Sequence, residues 1–164
     1  MAADPSINLA DLLPTLPRHA RLMGVDLGTK TIGLAISDVE RRIATPLETI
    51  RRVKFTPDAQ RLLQLFDQHA IAALVVGLPL NMDGSEGPRV QSTRSFVRSL
   101  TALRPLTIVY WDERLSTAAV TRSLIEQDAS RAKRAEVVDR MAAAYILQGA
   151  LDRLAAMARE AARD

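Results

Sequence analysis

The sequence contains no cysteine and only two histidines, His19 and His69, among its 164 residues. Without cysteine the chain can form neither a disulfide framework nor a thiolate metal site, and two histidines are too few for an imidazole cluster. Any metal must therefore be held by oxygen atoms. Long apolar runs are also missing, because no stretch approaches the roughly 20 residues that span a bilayer. We expect a cytoplasmic protein that does not cross a membrane.

A chain of 164 residues is long enough to bury a core and too short for two catalytic lobes, so we expect one domain. Residues 1–20 have neither the basic start nor the apolar stretch of a secretory signal. We predict that they form a loosely ordered extension. The domain is expected to occupy residues 21–158, followed by a short tail at residues 159–164.

The charge of the chain gives weak evidence about its partners, because the formal net charge is only +3 although the pI is 9.8. Local clusters of basic residues are more informative, since phosphate contacts need concentrated positive potential. Such clusters occur at Arg41–Arg42, at Arg51–Arg52 and at residues 131–134. From composition alone, solvated surface arginines remain the simpler interpretation.

The hydrophobic pattern predicts a mixed α/β fold. Period-two and continuous apolar runs indicate strands, and apolar residues at helical spacing indicate helices. The predicted strands are at about 21–27, 31–37, 43–50, 72–77 and 107–111, and the predicted helices at about 57–69, 88–104, 116–127 and 136–158. Three strands come first, and strands then alternate with helices. Such alternation requires parallel pairing, so we expect a mixed sheet with helices on both faces.

Three carboxylates lie in apolar surroundings where their charge needs compensation. Asp26 stands within the first predicted strand, Glu113 follows the last strand, and Asp139 lies in an apolar stretch of the last helix. Burying an ionised carboxylate is costly unless a partner or a metal compensates it. Each residue also has an ordinary structural explanation: a turn cap for Asp26, an ion pair with Arg114 for Glu113, and a helical salt bridge for Asp139.

In a mixed sheet with a flanking helix, strand ends and a helix face can converge. Convergence of the three acids would give the oxygen-only site that Mg²⁺ or Mn²⁺ prefers. Two such ions, about 3.5–4 Å apart, can activate a water and stabilise the leaving oxygen in phosphodiester hydrolysis. The composition therefore permits a metal-dependent nuclease that uses no histidine or cysteine.

Four stretches of this sequence resemble one protein family. They lie in family order between about Leu22 and Leu151: Gly24-Val25-Asp26-Leu27-Gly28-Thr29-Lys30 with Ile32-Gly33-Leu34-Ala35; Val76-Gly77-Leu78-Pro79-Leu80-Asn81-Met82-Asp83-Gly84-Ser85-Glu86-Gly87; Asp112-Glu113-Arg114-Leu115-Ser116-Thr117; and Val138-Asp139 with Ala142-Ala143 and Ile146-Leu147-Gln148. The family is YqgF, also called RuvX, whose members are described as Holliday junction resolvases or as nucleases of ribosomal-RNA precursors.

The resemblance implies a ribonuclease-H-like fold: three α/β/α layers around a five-stranded sheet with three antiparallel strands and then two parallel ones. It also implies that Asp26, Glu113 and Asp139 are catalytic acids that bind Mg²⁺ or Mn²⁺, with two ions expected. Two positions depart from the pattern. Thr31 stands where many relatives have arginine, and Ala142 stands where related junction resolvases have a second carboxylate, which Glu136 could replace from the other side of Asp139.

The expected activity is endonucleolytic cleavage of structured nucleic acid, foremost pre-16S ribosomal RNA in ribosome biogenesis, with a four-way DNA junction as the alternative substrate. Lys30, Arg114 and Asn81 are predicted to contact the substrate, since cations near the acids can bind phosphate. An exposed lysine, a simple ion pair and an ordinary surface turn explain these three residues equally well.

Two other classes of function remain open. The segment from Asp26 to Lys30 also resembles the first phosphate loop of actin-like ATPases and sugar kinases, although those proteins clamp nucleotide between two lobes and this chain holds one. A second alternative is a non-catalytic module that binds nucleic acid or ribosomes, for which binding would survive loss of the acids. The oligomeric state is not predicted.

Overall fold

The computed structural model describes residues 4–163 except 116–130, and for residues 131–140 it describes the backbone alone. The helix predicted at residues 116–127 lies outside the described residues. The elements, numbered along the chain, are β1 (Ser6–Ile7), α1 (Leu9–Leu12), β2 (Arg21–Leu27), β3 (Thr31–Ser37), β4 (Ala44–Arg51), α2 (Phe55–Gln68), β5 (Ile71–Leu78), α3 (Pro88–Leu103), β6 (Ile108–Asp112) and α4 (Arg131–Arg163).

The strands form one mixed sheet in the order β1-β6-β5-β2-β3-β4. Strands β2, β3 and β4 are antiparallel neighbours, whereas β5 pairs parallel with β2 and with β6. The predicted mixed sheet is therefore confirmed. Its strand count was wrong, because the sheet has six strands in the described part of the chain and not five.

The additional strand comes from the N-terminal segment, where Ser6 and Ile7 pair parallel with β6. Leu12 of α1 is completely buried against the sheet. The prediction that residues 1–20 are a loosely ordered extension therefore fails for residues 6–15, because burying Leu12 ties this segment to the core. The last helix also continues to Arg163, since its alanine-rich end contains no residue that stops a helix.

Helices cover both faces of the sheet because successive strand residues point to opposite sides. Met23 of β2 packs with Leu62 of α2 and Leu100 of α3 on one face. Leu22, its neighbour in sequence, packs with Leu147 of α4 on the other. The molecule thus has three layers. In the described part of the chain, no helix combines the length and the apolar character that crossing a membrane requires.

Candidate active site

Asp26 and Glu113 lie at the same edge of the sheet. Asp26 is the sixth residue of β2, and Glu113 follows the last residue of β6 directly. Strands β2, β5 and β6 run parallel, so their carboxyl ends meet at one edge. Both carboxylate residues are partly exposed, which leaves them accessible to a ligand from solvent.

The contacts of Gly24 show on which face of the sheet Asp26 lies, because residues two apart in a strand point to the same face. A Cβ atom added at Gly24 would stand 2.7 Å from the carbonyl oxygen of Ala143 and 2.8 Å from the Cβ of Leu147. Both residues belong to α4. The missing side chain of Gly24 therefore lets α4 approach the strand closely, and Asp26 belongs to the face that this helix covers.

Glu113 lies on that same face, above Gly77 of β5. A Cβ atom added at Gly77 would stand 3.3 Å from the carboxyl carbon of Glu113 and 2.5 Å from the Cδ1 of Ile146 on α4. Val25 pairs with Val76, so Asp26 and Gly77 are the next residues of two adjacent parallel strands. Adjacent strands are about 4.8 Å apart. The carboxyl group of Glu113 thus lies over the strand position that neighbours Asp26.

Asp139, the third predicted acid, lies in α4, four residues before Ala143 and seven before Ile146. Its side chain lies outside the described residues, as do those of Glu136 and of the basic cluster at residues 131–134. Among the side chains that the structure does describe, no three carboxylate or imidazole groups are close enough together to hold a metal ion. The described part of the site is therefore the pair Asp26 and Glu113.

Arg114 connects the end of β6 to the loop before α3. Its guanidinium donates to both carboxylate oxygens of Asp112, with the shortest contact, from Nη2, at 2.7 Å. Its Nη1 donates to the main-chain carbonyl of Met82 at 3.1 Å. The hydrogen bond from Arg114 holds the pKa of Asp112 below its ordinary value, although partial burial opposes this. Asp112 is thus an anion that positions Arg114.

The loop held by Arg114 is also closed by its own hydrogen bonds. The side-chain amide of Asn81 donates to the Ser85 hydroxyl at 2.9 Å, and the main-chain N–H of Gly84 donates to the Asn81 carbonyl at 2.8 Å. Gly84 has φ of +88°, a conformation that favours glycine. Asn81 therefore stabilises a turn, and its side chain is exposed at the loop surface.

Lys30 is exposed in the turn between β2 and β3, four residues beyond Asp26. Two further residues shape the site and were not predicted: Asp112, which orients Arg114, and Gly77, which makes room for the Glu113 carboxyl group. Asp112 could have been found, because it directly precedes Glu113 in the Asp-Glu-Arg run. The role of Gly77 depends on a contact between distant parts of the chain, which no local pattern reveals.

The sequence of this chain matches a known protein family. The family model described as "RuvX: Holliday junction resolvase" matches residues 20–153. A protein of Beijerinckia indica, named "Putative pre-16S rRNA nuclease", is 73% identical over 147 residues, which cover 90% of this chain and 89% of that protein. A protein of Methylocella silvestris with the same name is 70% identical over 154 residues, 94% of this chain and 95% of the relative.

The fold is also similar to that of solved structures. "T. thermophilus RuvC in complex with Holliday junction substrate" superposes with a TM-score of 0.51 at 13% identity, covering 83% of this chain and 96% of that one. "Thermus thermophilus RuvC structure" gives a TM-score of 0.50 at 12% identity over 83% and 97% of the two chains. At these identities the similarity concerns the fold alone, and it confirms the predicted ribonuclease-H-like class.

Proposed function

Because this chain belongs to the RuvX family, we propose that it is a metal-dependent endonuclease that hydrolyses phosphodiester bonds of structured nucleic acid. The observation that carries the proposal is the placement of Asp26 and Glu113 on one face at one edge of the sheet, at neighbouring strand positions. Two carboxylates over neighbouring strands offer a divalent cation oxygen donors from one side. Both are partly exposed, so a cation can reach them.

The donor set fits a hard divalent cation. Asp26 and Glu113 supply only oxygen, the ligand type that Mg²⁺ and Mn²⁺ prefer over nitrogen and sulfur. When bound, such ions activate a water and stabilise the leaving oxygen of the phosphodiester. We propose that these two residues hold one or both ions.

Asp139 is the third acid of this proposal. It precedes Ala143 by four residues and Ile146 by seven in α4, and residues at these spacings share one face of a helix. Ala143 lies against Gly24 and Ile146 against Gly77. The helix stripe that packs on the site strands therefore leads back, one turn earlier, to Asp139. This spacing supports its assignment as a metal ligand.

The basic residues near the acids are proposed to bind the substrate. Arg114 already donates to Asp112 and to the Met82 carbonyl, so its position is fixed before substrate arrives. A guanidinium held in this way can contact a phosphate with little loss of side-chain freedom. Lys30 and Asn81 are exposed and complete the proposed substrate-binding set.

The proposed substrate is pre-16S ribosomal RNA, processed in the cytoplasm during ribosome maturation. This choice follows the names of the relatives from Beijerinckia and Methylocella, which match nearly the whole chain. A four-way DNA junction is the second candidate, favoured by the description of the family model. Symmetric cutting of a junction requires two active sites, so this second function would also require a dimer.

The test is cleavage of a 16S RNA precursor fragment and of a four-way DNA junction, each with Mg²⁺ or Mn²⁺ and with chelator. We expect metal-dependent cleavage that falls at least about 100-fold in Asp26→Asn and in Glu113→Gln, the scale on which removing a transition-state stabilising group acts. The matched control is Glu160→Gln, which removes an exposed carboxylate about 30 Å along α4 from Asp139. Equal cleavage by Asp26→Asn and wild type would refute the proposal.

A further inference from the structure

A basic cleft opens beside the strand that carries Asp26, on the opposite face of the sheet from α4. Its volume is about 690 Å³. Three segments form its walls: the turn after β2, the segment that joins β4 to α2, and the first turns of α3. The residues that define it are Leu27, Gly28, Thr29, Arg52, Val53, Lys54, Phe55, Asp58, Pro88, Arg89 and Ser92.

The charge of the basic cleft is positive, because three cations face a single carboxylate. The cations are Arg52, Lys54 and Arg89. The carboxylate, Asp58, is 4% exposed, and it accepts a hydrogen bond from the main-chain N–H of Val53 at 3.3 Å. Within the described residues, none of the three cations forms an ion pair with an acid. Their charge is therefore available to an anionic ligand.

Two contacts hold Arg52 in this cleft. Its Nη1 donates to the carbonyl of Gly28 at 2.7 Å, and its guanidinium lies over the Phe96 ring, 5.7 Å from the centroid. Phe55 packs edge-on against the same ring, with 5.4 Å between the centroids. A planar guanidinium that lies on an aromatic ring directs its remaining N–H groups to one side, where they can donate hydrogen bonds to phosphate oxygens.

The cleft continues along α3 as a second, shallower groove of about 490 Å³ that shares Arg52, Phe55 and Ser92 with the first. Its α3 wall carries the hydroxyls of Ser92, Ser95 and Ser99. These residues follow helical spacing, so they form a row of donors and acceptors about 10 Å long. Val53, at the rim, is 76% exposed and offers an apolar surface. A positively charged groove that follows the backbone is how proteins hold a single nucleic-acid strand without reading its sequence.

We propose that the basic cleft binds the phosphodiester backbone of a single-stranded flank of the substrate, next to the point of cleavage. The proposal rests on the proposed function, because it assumes that the phosphodiester bond of the substrate is cut beside Asp26 and Glu113. Gly28 and Thr29 line the cleft and lie two and three residues beyond Asp26. A nucleic-acid strand that extends from the acids would therefore cross the carboxyl edge of the sheet at this turn and enter the cleft.

The test is binding of a fluorescently labelled 12-nucleotide single strand, measured by anisotropy over a range of salt concentrations. The test variant is Lys54→Gln/Arg89→Gln, which removes two exposed cations from the cleft. The matched control is Arg159→Gln/Arg163→Gln, which removes two exposed cations at the far end of α4. Both variants lose the same net charge, and thermal unfolding should show that both fold.

We expect the cleft variant to bind on the order of tenfold more weakly at 0.1 M salt. The slope of log affinity against log salt should fall by about 1.4, since each phosphate contact to a single strand contributes about 0.7. The control variant should change neither quantity appreciably. Equal binding by the two variants would overturn the proposal. RNA and DNA strands are measured separately. The proposal is also overturned if the cleft variant weakens the binding of neither RNA nor DNA.

Cleavage of substrates with and without a single-stranded flank completes the test. The cleft variant should raise KM on the flanked substrate and leave cleavage of the unflanked substrate unchanged, whereas equal impairment on both would contradict a flank in the cleft. The two proposals can fail separately. Should wild type cleave nothing while the cleft variant still binds tenfold more weakly, the nuclease proposal fails and only single-strand binding by the cleft is supported. Should Asp26→Asn abolish cleavage while the cleft variant binds normally, the reverse holds.

Discussion

Substituting Gly24 with alanine should destabilise the protein by wedging α4 away from the sheet. The added Cβ would lie 2.7 Å from the Ala143 carbonyl oxygen and 2.8 Å from the Leu147 Cβ, both too close for carbon. The first atom belongs to the helix backbone, so no change of rotamer relieves the contact. Overpacking of this kind costs about 1–3 kcal/mol. Alanine in a strand regains about 0.5–1 kcal/mol relative to glycine. Because both contacts are shorter than 3 Å, the upper half of the overpacking range applies, and the net loss is about 1–2.5 kcal/mol.

Urea unfolding measures this loss directly. With a slope of roughly 2 kcal/mol per molar urea, the midpoint should fall by about 0.5–1.2 M without a change in slope. Gly87→Ala is the matched control: its added Cβ meets only the Asn81 side chain, at 3.5 Å or more. We expect that control to lose less than about 1 kcal/mol, the cost of replacing a glycine N-cap. An unchanged or raised midpoint in Gly24→Ala would refute the close seating of α4 on β2.

Three further predictions concern the site and the surface. Gly77→Ala should lower kcat on the order of 10-fold and also lower stability, because its Cβ would stand 3.3 Å from the Glu113 carboxyl carbon and 2.5 Å from Cδ1 of the buried Ile146; steady-state kinetics of the folded variant checks this, and wild-type kcat would contradict it. Arg114→Gln should increase amide hydrogen exchange in the loop before α3, which that guanidinium holds; unchanged exchange would show that the loop closes unaided. Arg61 donates to Glu48 and lowers the pKa of that carboxyl group, so Glu48→Gln should cost up to about 1 kcal/mol at neutral pH. That difference should shrink as pH falls below the ordinary pKa of 4.5, and a constant difference in urea unfolding from pH 7 to pH 3 would argue against it.

Much of the fold could be predicted because the apolar pattern is strong where the core is. Residues 72–77 form a continuous apolar run and lie in the central strand β5. The inner stripe of α3, Phe96, Val97 and Leu100, is buried. Strand β1 was missed because two residues show no periodicity, and its pairing depends on β6, which is about a hundred residues away in sequence.

The residues of the candidate site could be proposed from the sequence, whereas the contacts that support them could not. Carboxylates in apolar stretches stand out in a sequence, because burial of charge is costly. The glycines that let the layers approach do not stand out in the same way. Gly24 and Gly77 matter only because Leu147, Ala143 and Ile146 lie against them, and such contacts exist only after α4 has docked. The basic cleft is similar, since Arg52 and Arg89 come from separate elements.

The most direct test of a shared metal site is a crystal of this protein soaked with manganese and measured for anomalous scattering. We expect Mn²⁺ at the carboxyl edge of the sheet, coordinated by oxygen atoms of Asp26, Glu113 and Asp139, with the signal lost in Asp26→Asn. Manganese bound elsewhere, or an Asp139 side chain on a different surface from the other two acids, would contradict it.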